Sequence, residues 1–310
     1  MKRDGKAAFW CLGTGAGLIL ACVLSKGLYL IGTLGNPVSI YGAAAFIRLE
    51  PQEFSFFGAE LGMVLGFLLA ARVTGRDRGT ALDAIALPGT LLVAALRFAT
   101  LYLGETGLGE FQTLGIYDLT DGVFPAFFPL AVRDSWGDWW MAVGTLEMLA
   151  ALLCGVYAAV KKKQLAGAPG LLFERTSLLL CSAQVFLELL HSAGTVTYFV
   201  HTEQLWNALY ILIRVILNCR KTALRRPGLK AWIPLICAVL CIAVNGVTQF
   251  FIDKPYGFLE PLPTAVGDWI SDHLSLVGYG LILLSTIGLG AAALKASSAA
   301  RSDLIGKETA

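Results

Sequence analysis

Charge is scarce in this chain. Only 15% of its 310 residues are charged while 56% are hydrophobic, and the mean hydropathy is +0.68. A soluble domain of this length does not hide so much apolar surface, so the composition specifies an integral membrane protein. Soluble-enzyme signatures are also missing: there is no Gly-x-Ser-x-Gly or His-Glu-x-x-His, and Gly13 to Gly17 is not followed by Lys-Ser/Thr. The seven cysteines (Cys11, Cys22, Cys154, Cys181, Cys219, Cys237, Cys241) lie within or at the ends of apolar runs, with neither paired nor metal-ligand spacing. They read as small hydrophobes, and neither a metal site nor a cofactor is expected.

What the chain does contain is long apolar runs. A helix needs about 20 apolar residues to cross the hydrocarbon. Runs of that kind occur at roughly 8 to 33, 55 to 73, 81 to 103, 138 to 160, 172 to 195, 204 to 219, 231 to 252 and 273 to 294. The expected fold is therefore an all-α polytopic bundle of about eight transmembrane helices. The sixth run is the weakest, being short and carrying Arg214. Basic residues gather at alternate loops: Lys2, Arg3 and Lys6; Arg72, Arg76 and Arg78; Lys161 to Lys163; Arg220 to Lys230; Lys295, Arg301 and Lys307. By the positive-inside rule both termini are then cytoplasmic, and the net charge of +2 carries no message for nucleic acid. Ile19-Leu20-Ala21-Cys22 resembles a lipoprotein cleavage box, but the apolar run continues past it to Gly32, so an uncleaved first helix is expected.

Ionisable groups inside these runs are the candidate functional residues, because they cost a few kcal/mol each in hydrocarbon and persist where they face a polar cavity or one another. Glu60 lies under two turns from the outer start of the second span. Arg97 lies ~10 Å from the outer end of the third at about 1.5 Å per residue, so the two can share one depth, as an ion pair or as a site. Asp83 is the expected cap of the third span. Lys26, in the outer half of the first, either snorkels to the interface or serves an anion site. Glu147 sits near the middle of span four. Gln184 and Glu188 share a face of span five, with His191 a turn beyond, and Glu203-Gln204 precedes span six. Gly104, Gly107 and Gly109 suit either a tight turn around a ligand or a flexible exit. Phe124-Pro125 and Trp136, Trp139 and Trp140 form an interfacial aromatic segment. The chain divides into a core over 1–220, an appended hairpin over 221–296 and a disordered tail over 297–310.

The segment Ser55-Phe56-Phe57-Gly58-Ala59-Glu60-Leu61-Gly62, then Leu82-Asp83, then Leu96-Arg97-Phe98-Ala99-Thr100, ending in Gly104-Glu105, resembles the bacterial prolipoprotein diacylglyceryl transferases. That family carries Ser-Phe-His-Gly-Gly-Leu-Ile-Gly, then Leu-Asp, then Gly-Arg-Ile-Gly-Asn-Phe-Ile-Asn-Gly-Glu, without a gap relative to this chain. Weaker matches follow at Phe124-Pro125, Pro169-Gly170, Gln184 to Glu188 and Glu203-Gln204, so the likeness covers about residues 8 to 219. Phe57 replaces the family's histidine, Thr100 its asparagine and Gln184 its deep arginine. Lys26 stands where an arginine is usual, and the hairpin has no counterpart.

The resemblance implies transfer of a diacylglyceryl group from phosphatidylglycerol to the cysteine thiol of a lipoprotein precursor's lipobox, at the outer face of a bacterial plasma membrane. It implies catalytic roles for Arg97, Glu105 and Glu188, and substrate contacts from Lys26, Gly58, Glu60, Thr100, Gly104, Gln184 and Gln204. Two alternatives stand beside it. One is a relative that binds anionic phospholipid without this chemistry. The other is a small-solute or proton-coupled transporter using Glu60, Glu147 and Glu188, although no inverted repeat is visible.

Overall fold

The structure is a computed structural model that describes residues 4–33, 53–102, 108–109, 127–133, 139–191, 196–197, 200–253 and 264–301. Its α-helices are α1 (Asp4–Thr33), α2 (Phe56–Val73), α3 (Arg78–Ala99), α4 (Val143–Lys161), α5 (Leu171–Leu187), α6 (Thr202–Arg225), α7 (Ile233–Asp253) and α8 (Thr264–Ala300). The helical-bundle expectation holds, and among the described residues six helices are long and apolar enough to cross a membrane: α1, α2, α3, α4, α7 and α8.

Short strands accompany them. β2 (Ala131–Arg133) and β1 (Leu108–Gly109) both pair antiparallel with β3 (Trp139–Ala142), and β4 (Val196–Thr197) pairs with β5 (Val200–His201). The expected fourth span from 138 therefore begins at Val143, because Trp139 to Ala142 pairs with β2 and β1 instead. Span five also ends early, passing at Glu188 into a 3-10 turn that runs to Leu190.

α1 and α2 pack through a row of small residues. Gly58, Gly62 and Gly66 recur every four residues on one face of α2, so a side chain at any of them would strike the backbone of α1 at Ser25, Ala21 or Gly17. At the basic end, Phe9, Phe67, Ala70, Ala71, Ala81 and Ile85 fill the space between α1, α2 and α3. α3 is capped by Asp77, whose carboxylate accepts from Thr80 N at 2.8 Å; these bonds to Thr80 hold the carboxyl below its usual range. The expected cap, Asp83, lies inside the helix and serves another one: it accepts from Gly170 N at 2.7 Å and Phe173 N at 2.9 Å at the start of α5. Those N–H groups have no partner inside α5, and a carboxylate is favoured at a helix N-terminus.

The hairpin α7–α8 is part of the core. Leu178, Cys181 and Val185 of α5, Ile211, Val215 and Cys219 of α6, Ala238 of α7 and Leu289, Ala292, Ala293 and Ala296 of α8 form one buried cluster. The expected tail is helical through Ala300, and residues 302–310 lie outside the described ones. Arg225 donates to Ala300 O at 3.0 Å, and Arg301 donates to Pro169 O at 2.7 Å, which fastens this end. α6 is arranged with its polar side inward: Gln204, Asn207 and Asn218 are buried, while Leu205, Leu209, Ile213 and Leu217 face outward. Arg214, the reason to doubt this span, pairs with buried Glu174 of α5 at 2.6 Å.

Candidate functional site

Chain direction brings five helix ends together. The first turns of α2, α4 and α6 and the last turns of α3 and α5 meet at the end of the bundle opposite the basic loops. Arg97, in the last turn of α3, is buried there. Its Nη1 lies 2.9 Å from Glu147 Oε1 of α4, and its Nη2 donates to Glu188 Oε1 at 2.7 Å. The guanidinium carbon lies 3.7 Å from the centroid of the Phe56 ring, a cation–π contact that closes its open side. His191, just past α5, brings Nε2 to 3.3 Å from Glu147 Oε1.

Two more carboxylates approach. Glu60 of α2 interacts electrostatically with Arg97, Glu203, Glu188 and Glu147. Glu203, at the start of α6, accepts from Phe57 N at 2.9 Å and so satisfies a free donor in the first turn of α2. One guanidinium thus faces four carboxylates. At separations near 4 Å each such pair is worth about 4 kcal/mol at an effective dielectric of 20, so Arg97 compensates only part of the negative charge.

Several polar atoms here have no hydrogen-bond partner among the described residues: Glu60 Oε1, Arg97 Nε, Glu147 Oε2 and both amide atoms of Gln184. Gln184 is 1% exposed and lies one turn before Glu188 on the same face of α5.

Of the ten residues expected to form a site, the structure brings together Arg97, Glu188 and Glu60, with Gln184 on the wall beside Glu188. Glu105 and Gly104 lie outside the described residues. The other four make contacts outside the Arg97 cluster or with its backbone. Lys26 pairs with Glu53 at 2.6 Å, under the rings of Tyr29 and Phe54, so it is neither a lone interfacial lysine nor joined to Arg97. Gly58 seats α2 against Ser25 of α1. Thr100 Oγ1 donates to Arg97 O at 2.6 Å, and Gln204 Nε2 donates to Asn245 Oδ1 of α7 at 3.2 Å.

Glu147, His191 and Glu203 complete the cluster: Glu147 is expected beside Glu60 and Glu188 only in the transporter alternative, and the sequence sets His191 and Glu203 beside Glu188 and Gln204 without a role. Phe57 packs on Tyr210 with ring centroids 6.2 Å apart, and the cluster's imidazole comes from His191.

Fold and cluster together define a multi-pass helical membrane protein with a buried, acid-rich ionic site at one end. Comparison with family models, with curated proteins and with solved structures finds no match in any of the three.

Proposed function

We propose that this chain is a phospholipid-dependent transferase of the plasma membrane, acting at the outer leaflet. In this reading α5 and α6 complete eight crossings and both termini face the cytoplasm. The substrates are phosphatidylglycerol and the lipobox cysteine of a lipoprotein precursor. One observation carries the reading: Arg97 and Glu188, which the motif resemblance assigned to one site, are 91 residues apart in sequence and 2.7 Å apart in space. The chemistry fits the groups present. A carboxylate or His191 takes the thiol proton, sulfur bonds to the terminal glycerol carbon of the diacylglyceryl group, and the bond from that carbon to the phosphate oxygen breaks. Glycerol phosphate leaves, and Arg97 supports the charge developing on it. Both Nη atoms of Arg97 are held by carboxylates while Nε has no partner among the described residues, so the head group can approach Arg97 at Nε or by displacing a carboxylate.

Diacylglyceryl transfer from phosphatidylglycerol to a lipobox peptide, measured for wild type and Arg97→Ala, tests the reading. Transfer that Arg97→Ala abolishes supports it. Absence of transfer in the wild type, with phosphatidylglycerol still bound, leaves a lipid-binding protein without this chemistry.

The surplus of carboxylates over guanidinium favours a second reading, a proton-coupled carrier. Solute uptake into vesicles that is lost in Glu147→Gln would establish it.

A further inference from the structure

Glu147, Glu188 and His191 each offer one ligand atom, all within 4.8 Å of one another and all buried. A divalent ion such as zinc holds N and O ligands at about 2.0–2.2 Å, which in a tetrahedral site sets the ligand atoms about 3.4 Å apart. His191 Nε2 lies 3.3 Å from Glu147 Oε1, so the imidazole already faces the carboxylate whose second oxygen would take the ion. Atoms within 4.8 Å of one another reach the tetrahedral spacing by closing at most about 1.4 Å, through side-chain adjustment.

A second observation points the same way. Glu147 Oε2 lacks a hydrogen-bond partner in a fully buried setting, as do both polar atoms of Gln184. Buried polar groups are rarely left so, since each orphan costs about 1–3 kcal/mol. A cation bound by Glu147 Oε2, His191 Nε2 and the Gln184 carbonyl satisfies two of these atoms without breaking the Arg97 pairs. Arg97 would then act as the outer group that orients Glu147 and Glu188. Charge agrees as well: four carboxylates share one guanidinium, and a divalent ion brings the cluster close to neutral.

We propose that Glu147, Glu188 and His191 bind a divalent transition-metal ion of the zinc or manganese class, with the Gln184 carbonyl as a further oxygen donor. A mixed imidazole and carboxylate set suits these ions better than magnesium or calcium, which prefer oxygen alone. The proposal uses the cluster's geometry only and does not depend on the transferase reading, since metal content is measured without lipid substrate.

The full-length chain, purified in detergent, is incubated with Zn(II) or Mn(II), freed of unbound ion and analysed for metal. About one equivalent is expected in the wild type, falling at least about tenfold in His191→Gln and Glu147→Gln and staying unchanged in His201→Gln. Less than a tenth of an equivalent in the wild type, or equal content in His191→Gln, overturns the proposal. Should the variants fail to fold, the cobalt-substituted wild type decides. Ligand-field bands without thiolate charge transfer support the site. Thiolate bands would move the metal to the cysteines, and absence of any band would mean no site; either result overturns the proposal.

Discussion

Replacing Gly62 by alanine tests how α1 and α2 are held together. A Cβ at this position would lie 2.3 Å from Ala21 N and 2.4 Å from the carbonyl carbon of Leu20. Carbon contacts are optimal at about 3.5–4.0 Å, so the helices must part by roughly 1 Å. The obstacle is backbone, which no rotamer change can move aside. Overpacking alone costs about 1–3 kcal/mol. Parting the helices also forfeits a quarter to a half of the dispersion energy at neighbouring contacts along the row. The expected loss is therefore near the upper end, about 3 kcal/mol, or a fall of roughly 5–10 °C in the thermal midpoint in detergent. Gly27→Ala in α1 is the control: nothing lies within 4 Å of its Cβ position, and helix propensity favours alanine by about 1 kcal/mol. A Gly62→Ala protein that melts with the wild type, or a Gly27→Ala protein that falls as far, would refute the packing account.

Four further outcomes are expected. Arg97→Met leaves Glu147 and Glu188 facing each other and costs about 3–5 kcal/mol; Arg97→Met combined with Glu147→Gln should recover part of this in the same melt, and strict additivity would count against the pairing. Glu174→Ala deprives Arg214 and Asn218 of their partner and costs about 2–3 kcal/mol, less than a fully buried pair because Arg214 is partly exposed. Asp83→Ala orphans two N–H groups at the start of α5, at about 1–3 kcal/mol each, whereas Asp83→Asn, able to accept only one of them, should lie between. Burial, with His191 nearby, depresses His201 to about 4 from its ordinary 6.5. The unfolded chain then binds the extra proton first, so stability is full above pH 6.5 and declines as pH falls towards 4. The decline is at most about 3 kcal/mol and should be absent from His201→Gln.

Much of the fold was legible because each apolar run is long and the loops between runs are polar. The starts and ends of α1, α2 and α7 fall within a few residues of the runs that foretold them. The errors have local causes. Trp139 to Ala142 reads as apolar whether it is strand or helix, since short apolar runs do not distinguish the two. Asp83 reads as a cap for its own helix, and that it caps α5 depends on a contact 87 residues away. The Gly58, Gly62, Gly66 row was present in the sequence as a small-residue repeat, yet Gly58 was assigned to substrate because the motif likeness covered it first. Within the site, Arg97, Glu188 and Glu60 were readable as expensive charges in apolar runs. Which of them touch was not, because depth in a helix constrains height and leaves the facing direction open.

Hydropathy also identifies the wrong helices as central. The helices that satisfy a membrane-span criterion are apolar around much of their circumference, and such surfaces belong where lipid touches them. α5 does not satisfy it: it has 17 residues, carries Glu174, Arg175 and Gln184, and yet 11 of its residues are buried. α6 also falls short, because Glu203, Arg214 and its basic last turn lower its mean hydropathy, although its outward stripe of Leu205, Leu209, Ile213 and Leu217 is as apolar as any. A helix surrounded by protein can carry polar groups whose partners come from its neighbours, as Arg214 finds Glu174 and Glu188 finds Arg97. In a membrane bundle, a span that scores poorly between spans that score well is therefore where a polar site should be sought first. Here the two such helices supply Glu188, His191 and Glu203 to the cluster around Arg97.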